Sequence, residues 1–125
     1  MFELAEMIKI ARESSEANYE DVNNMIEFPQ KLNKKQRQET FKLIGDFLRK
    51  NGFEVYIGSK EIQCSMKEAS ASFMMGNGEH KVTFSLIEPP SKTIINVNMH
   101  LWMCGKRRHI KDLMEKLIRL VQEEN

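Results

Sequence analysis

Between Leu4 and Ile26 the apolar positions Leu4, Ile8, Ala11, Tyr19, Val22 and Ile26 recur at spacings of three, four or their sums, and Pro29 stops the pattern. This periodicity predicts one long helix, or two in succession if the polar stretch from Arg12 to Glu16 marks a break near Ser14 and Ser15. After Leu32, Asn33 with Gln36 three residues on forms a capping-box signature. Phe41, Ile44, Phe47 and Leu48 then supply the apolar stripe of a further helix, which Asn51-Gly52 ends.

Beyond Gly52 the period drops from 3.6 to two. Phe53, Val55 and Ile57 alternate, Gly58-Ser59-Lys60 turns the chain, and Ile62, Cys64 and Met66 alternate again, which predicts a hairpin. Ala71, Phe73 and Met75, the turn Gly76-Asn77-Gly78, and Val82, Phe84 and Leu86 predict a second. After Pro89-Pro90 a last strand runs from about Thr93 to Cys104, with Ile95, Val97, Met99, Leu101 and Met103 on one side. Gly105 closes it, and Ile110, Leu113, Met114, Leu117 and Val121 mark a closing amphipathic helix. The expected fold is α+β, a single domain over residues 1–125. Its sheet is an antiparallel meander of about five strands, flanked by two N-terminal helices and one C-terminal helix. The second and closing helices should cover the apolar face of the sheet. The first is left to lie across the polar face or to join another subunit.

Composition narrows the function classes. A chain of 125 residues with 41% hydrophobic and 30% charged residues is globular rather than disordered, and long enough for one core. Nineteen lysines and arginines against 18 acids exert no global pull toward nucleic acid or membrane, so any electrostatic function must be local. Acids near the start and the lack of a long apolar run predict a cytoplasmic protein with no membrane partner. Two cysteines make no disulfide framework, and the alternation around Cys64 places it in the core.

Two features carry candidate chemistry. On the last strand, alternation puts Asn96, Asn98, His100 and Trp102 in one row, with Lys81, Thr83 and Ser85, then Ser70, Ser72 and Met74, then Gln63 and Ser65 beside it. Amides and hydroxyls present both donors and acceptors, and tryptophan offers a flat amphipathic surface, so this face is suited to a polar ligand or a partner. Plain exposed strand positions, with Trp102 packed under the first helix, would give the same pattern.

The second feature is cations at helix starts, where the macrodipole disfavours them: Lys34, Lys35 and Arg37, and Lys106, Arg107, Arg108, His109 and Lys111. With free backbone N–H groups such clusters can hold a phosphate. An internal partner is equally available, because residues 1–28 carry seven acids and only Lys9 and Arg12 as bases.

The stretch Gly78-Glu79-His80-Lys81-Val82-Thr83-Phe84, followed by Gly105-Lys106-Arg107-Arg108 at a helix start, is loosely similar to the double-stranded RNA-binding domain. The likeness covers these two short stretches alone, at a longer spacing than that family uses, and no RNA-contacting residue is carried over from it. Catalytic and metal motifs are missing from the sequence: no G-x-S-x-G, H-E-x-x-H, P-loop or C-x-x-C. His100 and Cys104 share a face but stand about 13 Å apart along a strand, too far for one ion.

The expectation is a non-enzymatic binding protein, an adaptor, inhibitor or regulator, without cofactor, whose sheet face or first helix meets a protein partner or a second copy. The binding residues would be Asn96, Asn98, His100, Trp102, Lys106, Arg107 and Arg108. An RNA- or nucleotide-binding module using the basic helix starts is the first alternative, and a small enzyme with a His100-centred pocket the second.

Overall fold

The computed structural model describes residues 4, 6 and 7, and residues 18–68, 78–103 and 105–124. Strand β1 (Tyr19–Phe28) leads into helix α1 (Lys34–Lys50). Strands β2 (Glu54–Ile57), β3 (Glu61–Glu68), β4 (Gly78–Ile87) and β5 (Thr93–Trp102) follow, and helix α2 (Arg107–Glu124) closes the order. The strands form one antiparallel sheet in the order β1-β5-β4-β3-β2, so β2 to β5 are a meander and β1 adds to the free edge of β5.

The α+β class and the five-stranded antiparallel sheet agree with the sequence pattern, but the membership of the sheet differs. Tyr19–Phe28 is a strand, where the periodicity predicted helix, so two helices rather than three flank the sheet among the described residues. The spacing of four between Val22 and Ile26 satisfies both a period of two and one of 3.6, and the polar Glu20 and Asn24 hide the alternation. Ile26 and Phe28 are buried in the core and Val22 packs against that core, which is the period of a strand. Of the segment before it, Leu4, Glu6 and Met7 are helical. The strand expected at Ala71 to Met75 lies outside the described residues, as do Gly76, Asn77, Ser70, Ser72, Met74 and Cys104. β3 pairs directly with β4, with Ile62 opposite Phe84 and Cys64 opposite Val82.

Helix α1 starts where its sequence says. The Asn33 side chain accepts from the Gln36 N–H at 2.8 Å, and the Gln36 side chain accepts from the Asn33 N–H at 2.9 Å, so two otherwise unpaired donors are satisfied reciprocally. Phe41, Ile44 and Leu48 of α1 and Ile110, Met114, Leu117 and Val121 of α2 then bury one sheet face, on which Ile62, Val82, Phe84, Ile95, Val97, Met99 and Leu101 stand. Gly45 permits the close approach of α1 to β2, since a Cβ there would meet Cδ1 of Ile57 at 2.6 Å. No helix among the described residues is long and apolar enough to cross a membrane.

Cys64 belongs to this core, and burial pushes its thiol up to about 12, with nearby Arg49 pulling weakly the other way. Above pH 9 the unfolded thiol ionises while the folded one stays protonated. The native state then binds more protons, and stability falls as pH rises from about 9 towards 12, on the order of 1 kcal/mol per pH unit. Urea melts at pH 8 and 10.5 should show a larger loss for the wild type than for Cys64→Ala; equal losses would refute this account.

Candidate interaction face

Helices α1 and α2 pack on one side of the sheet, and on the other side the described residues leave it uncovered. Pairing registers fix which side chains meet there. Asn23 stands opposite Asn98, Asn98 opposite Thr83, Thr83 opposite Gln63, and Gln63 opposite Tyr56, so one row without any charge crosses all five strands. At about 4.8 Å per strand the row is about 19 Å long. The next row adds Met25, Asn96 and Ser85 before it reaches Glu61. Met25 and Tyr56 are large and exposed, at 54% and 71%.

Charge collects around this centre and is mainly negative. Asp21, Glu27, Glu54, Glu61 and Glu79 share the face by register or alternation, against Lys67 and Lys81. Alternation of pairing also gives β1 an outward-facing edge. The Met103 N–H donates to the Asn18 carbonyl at 2.7 Å, so even-numbered β1 residues bond β5 while odd-numbered ones direct their backbone groups away from it.

One end of the face is an aromatic corner. The Tyr19 ring stacks parallel on His100 with centroids 4.2 Å apart and meets Trp102 edge-on at 5.1 Å. His100 Nδ1 lies 2.7 Å from an Asp21 carboxylate oxygen, with the two side chains 44% and 66% exposed. This supplies the acid that a His100-centred acid–base site needs, but on an open strand surface rather than in an enclosed pocket.

The sequence-derived residues therefore divide. Asn96, Asn98 and His100 do share the open face. Trp102 sits in the same register row but is only 2% exposed, and the space it fills lies where Gly78 has no side chain, so it serves the corner as packing.

Arg107 belongs to the opposite side of the sheet. It bonds Glu20 at 2.9 Å, and Lys111 bonds the same carboxylate at 2.8 Å; Glu20 has the parity of the buried Ile26 and Phe28. The Lys111 bond, with the Arg107 charge beside it, holds the Glu20 carboxyl below its ordinary range. Lys106 donates its backbone N–H to both oxygens of Glu68, at 2.9 and 3.1 Å. Its carbonyl accepts the first bond of the helix, from Ile110. The anion at this helix start is thus the protein's own Glu68. Arg108 is exposed on α2. At α1, Arg37 bonds Glu88 at 3.0 Å and the Leu32 carbonyl at 2.8 Å.

Residues that the sequence did not single out complete a buried relay at the covered end of the same corner. His80 is fully buried; its Nδ1 accepts the Trp102 backbone N–H at 3.1 Å, which places the ring proton on Nε2, 2.5 Å from Glu68. Gly105, at φ 68, lets the chain turn into α2 directly over that carboxylate, where any Cβ would collide with it. The signal available beforehand was a histidine at a core-facing position of β4, and its acid partner could not be found without the β3–β4 register. Among the described residues no group of three or more histidines, cysteines or acids could hold a metal ion. Comparison with known proteins gives no match, either to a family model or to a curated protein.

Proposed function

We propose that this is a non-enzymatic interaction domain whose open sheet face takes up a protein partner with an uncharged polar centre and a basic rim. The observation that carries the reading is the charge-free row from Asn23 to Tyr56 inside a mainly acidic border. Five strands of up to ten residues present a surface of about 600 Å², close to the roughly 800 Å² that each side of an ordinary interface buries. Asparagine, glutamine, serine and threonine side chains there offer paired donors and acceptors, and exposed Met25 and Tyr56 offer apolar and aromatic contact. The acidic border disfavours RNA on this face, because nucleic-acid affinity rests on neutralising phosphates with lysine and arginine.

Asn98→Arg places a large cation at the centre of the row and leaves the core untouched. Affinity capture from cell extract, with nucleic acid digested, should retain a protein on the wild type at both low and high salt. Asn98→Arg should lose it with an unchanged melting temperature. Equal retention by the variant would overturn the assignment to this face. So would a purified protein that binds double-stranded RNA with steep salt dependence through the same residues.

A further inference from the structure

A cleft of about 460 Å³ opens on the helix side of the molecule, away from the open face, between α1, the β2–β3 turn and the end of β4. Its apolar lining comes from Phe41, Ile57 and Leu86, and its cations are Lys34, Lys42 and Lys60. Two further residues at the cleft, Arg37 and Glu88, neutralise each other at 3.0 Å. The three lysines have no carboxylate partner among the described residues, so the lining carries an unbalanced positive charge over an apolar surface. The volume lies within the range of small-molecule sites, roughly 300 to 1,000 Å³.

The walls are fixed by backbone bonds rather than by loose side chains. Lys34, Gln38, Phe41 and Lys42 follow at helical spacing on one face of the capped α1. Opposite them, the Gly58 N–H donates to the Glu61 carbonyl at 2.7 Å, and the Leu86 N–H donates to the Lys60 carbonyl at 2.8 Å. Ile57, 42% exposed, rests over Gly45 and presents its outer surface to solvent.

We infer that this cleft binds a small amphipathic anion, a molecule with a hydrocarbon or aromatic body and one carboxylate or phosphate group. The body covers the exposed Ile57 and the half-buried Leu86, removing apolar surface from water, with the buried Phe41 as the floor beneath. The anionic group meets the lysine ammonium groups, which gain a partner that the described residues do not supply. Such a ligand uses both features together: inorganic phosphate leaves the apolar lining wet, and a neutral hydrocarbon gains nothing from the exposed lysines.

Laurate, below its micellar concentration, is the probe, followed by amide chemical shifts in the full chain. Saturable shifts should centre on Phe41, Lys42, Gly58, Lys60 and Leu86. The double variant Lys42→Glu/Lys60→Glu, both exposed positions, should bind at least tenfold more weakly with an unchanged melting temperature. Acetate, which lacks the body, and dodecyltrimethylammonium, which reverses the charge, should each bind at least tenfold more weakly than laurate. Equal laurate affinity in the double variant, equal affinity for the cationic surfactant, or shifts centred on Asn96 and Asn98 would each overturn the inference.

Discussion

Trp102→Ala is expected to lower the melting temperature by about 10 to 20 °C. The ring is 2% exposed, stands edge-on to Tyr19 and fills the space beside Gly78. Truncating a buried tryptophan to alanine costs about 3 to 5 kcal/mol, and in a domain of this size each kcal/mol moves the midpoint by several degrees. Surrounding groups cannot collapse into the gap easily, because Tyr19 is also stacked on His100 and Gly78 has no side chain to move inward. Trp102→Phe should recover part of the loss, since a smaller ring still meets Tyr19. A drop of less than about 3 °C for Trp102→Ala would mean that the ring does not hold the corner, and would return it to the list of contact residues.

The second large effect is expected at His80. His80→Leu keeps an apolar volume but deprives the Trp102 N–H of its acceptor and Glu68 of its imidazole donor. Leaving the buried Trp102 N–H unpaired costs about 1 to 3 kcal/mol, and Glu68, which among the described residues keeps only the Lys106 N–H, adds to it, so a loss of about 3 kcal/mol in urea unfolding is expected. Glu68→Gln should also destabilise, because the same carboxylate accepts from Lys106 at the start of α2. If the relay is one unit, the double variant His80→Leu/Glu68→Gln loses less than the sum of the single variants. Strict additivity would show that the two contacts act independently.

Most of the local structure was legible because its causes are local. The reciprocal bonds of Asn33 and Gln36, the turn after Ile57, and the alternation from Val82 to Leu86 and from Ile95 to Leu101 each depend on residues a few positions apart. β1 was not legible, since Val22 and Ile26 at a spacing of four serve a helix and a strand equally.

That misreading spread into the site. Parity placed Trp102 correctly in the row with Asn96, Asn98 and His100, but the tyrosine that stands against it comes from β1. Likewise Lys106, Arg107 and Arg108 stood next to the last strand in sequence, while Glu20 on β1 draws Arg107 to the covered side of the sheet. Which of several cations stays free depends on acids far away in the chain, and no periodicity reports that. The cleft by Lys42 and Lys60 was invisible for the same reason, being formed by a helix face and a turn that meet only through the fold.

The position of β1 has a kinetic consequence. The hairpins β2–β3 and β4–β5 close short loops and can form as soon as they are made, but β1 must wait for β5, its one neighbour in the sheet among the described residues. Asp21 and His100, which meet across that ladder, are 79 positions apart. Closing so long a loop costs entropy before its contacts form, so the β1–β5 ladder is expected to form after the two hairpins. During synthesis β1 emerges well before Thr93–Trp102 leaves the ribosome, and any chain ending before Thr93 carries β1 without its β5 partner.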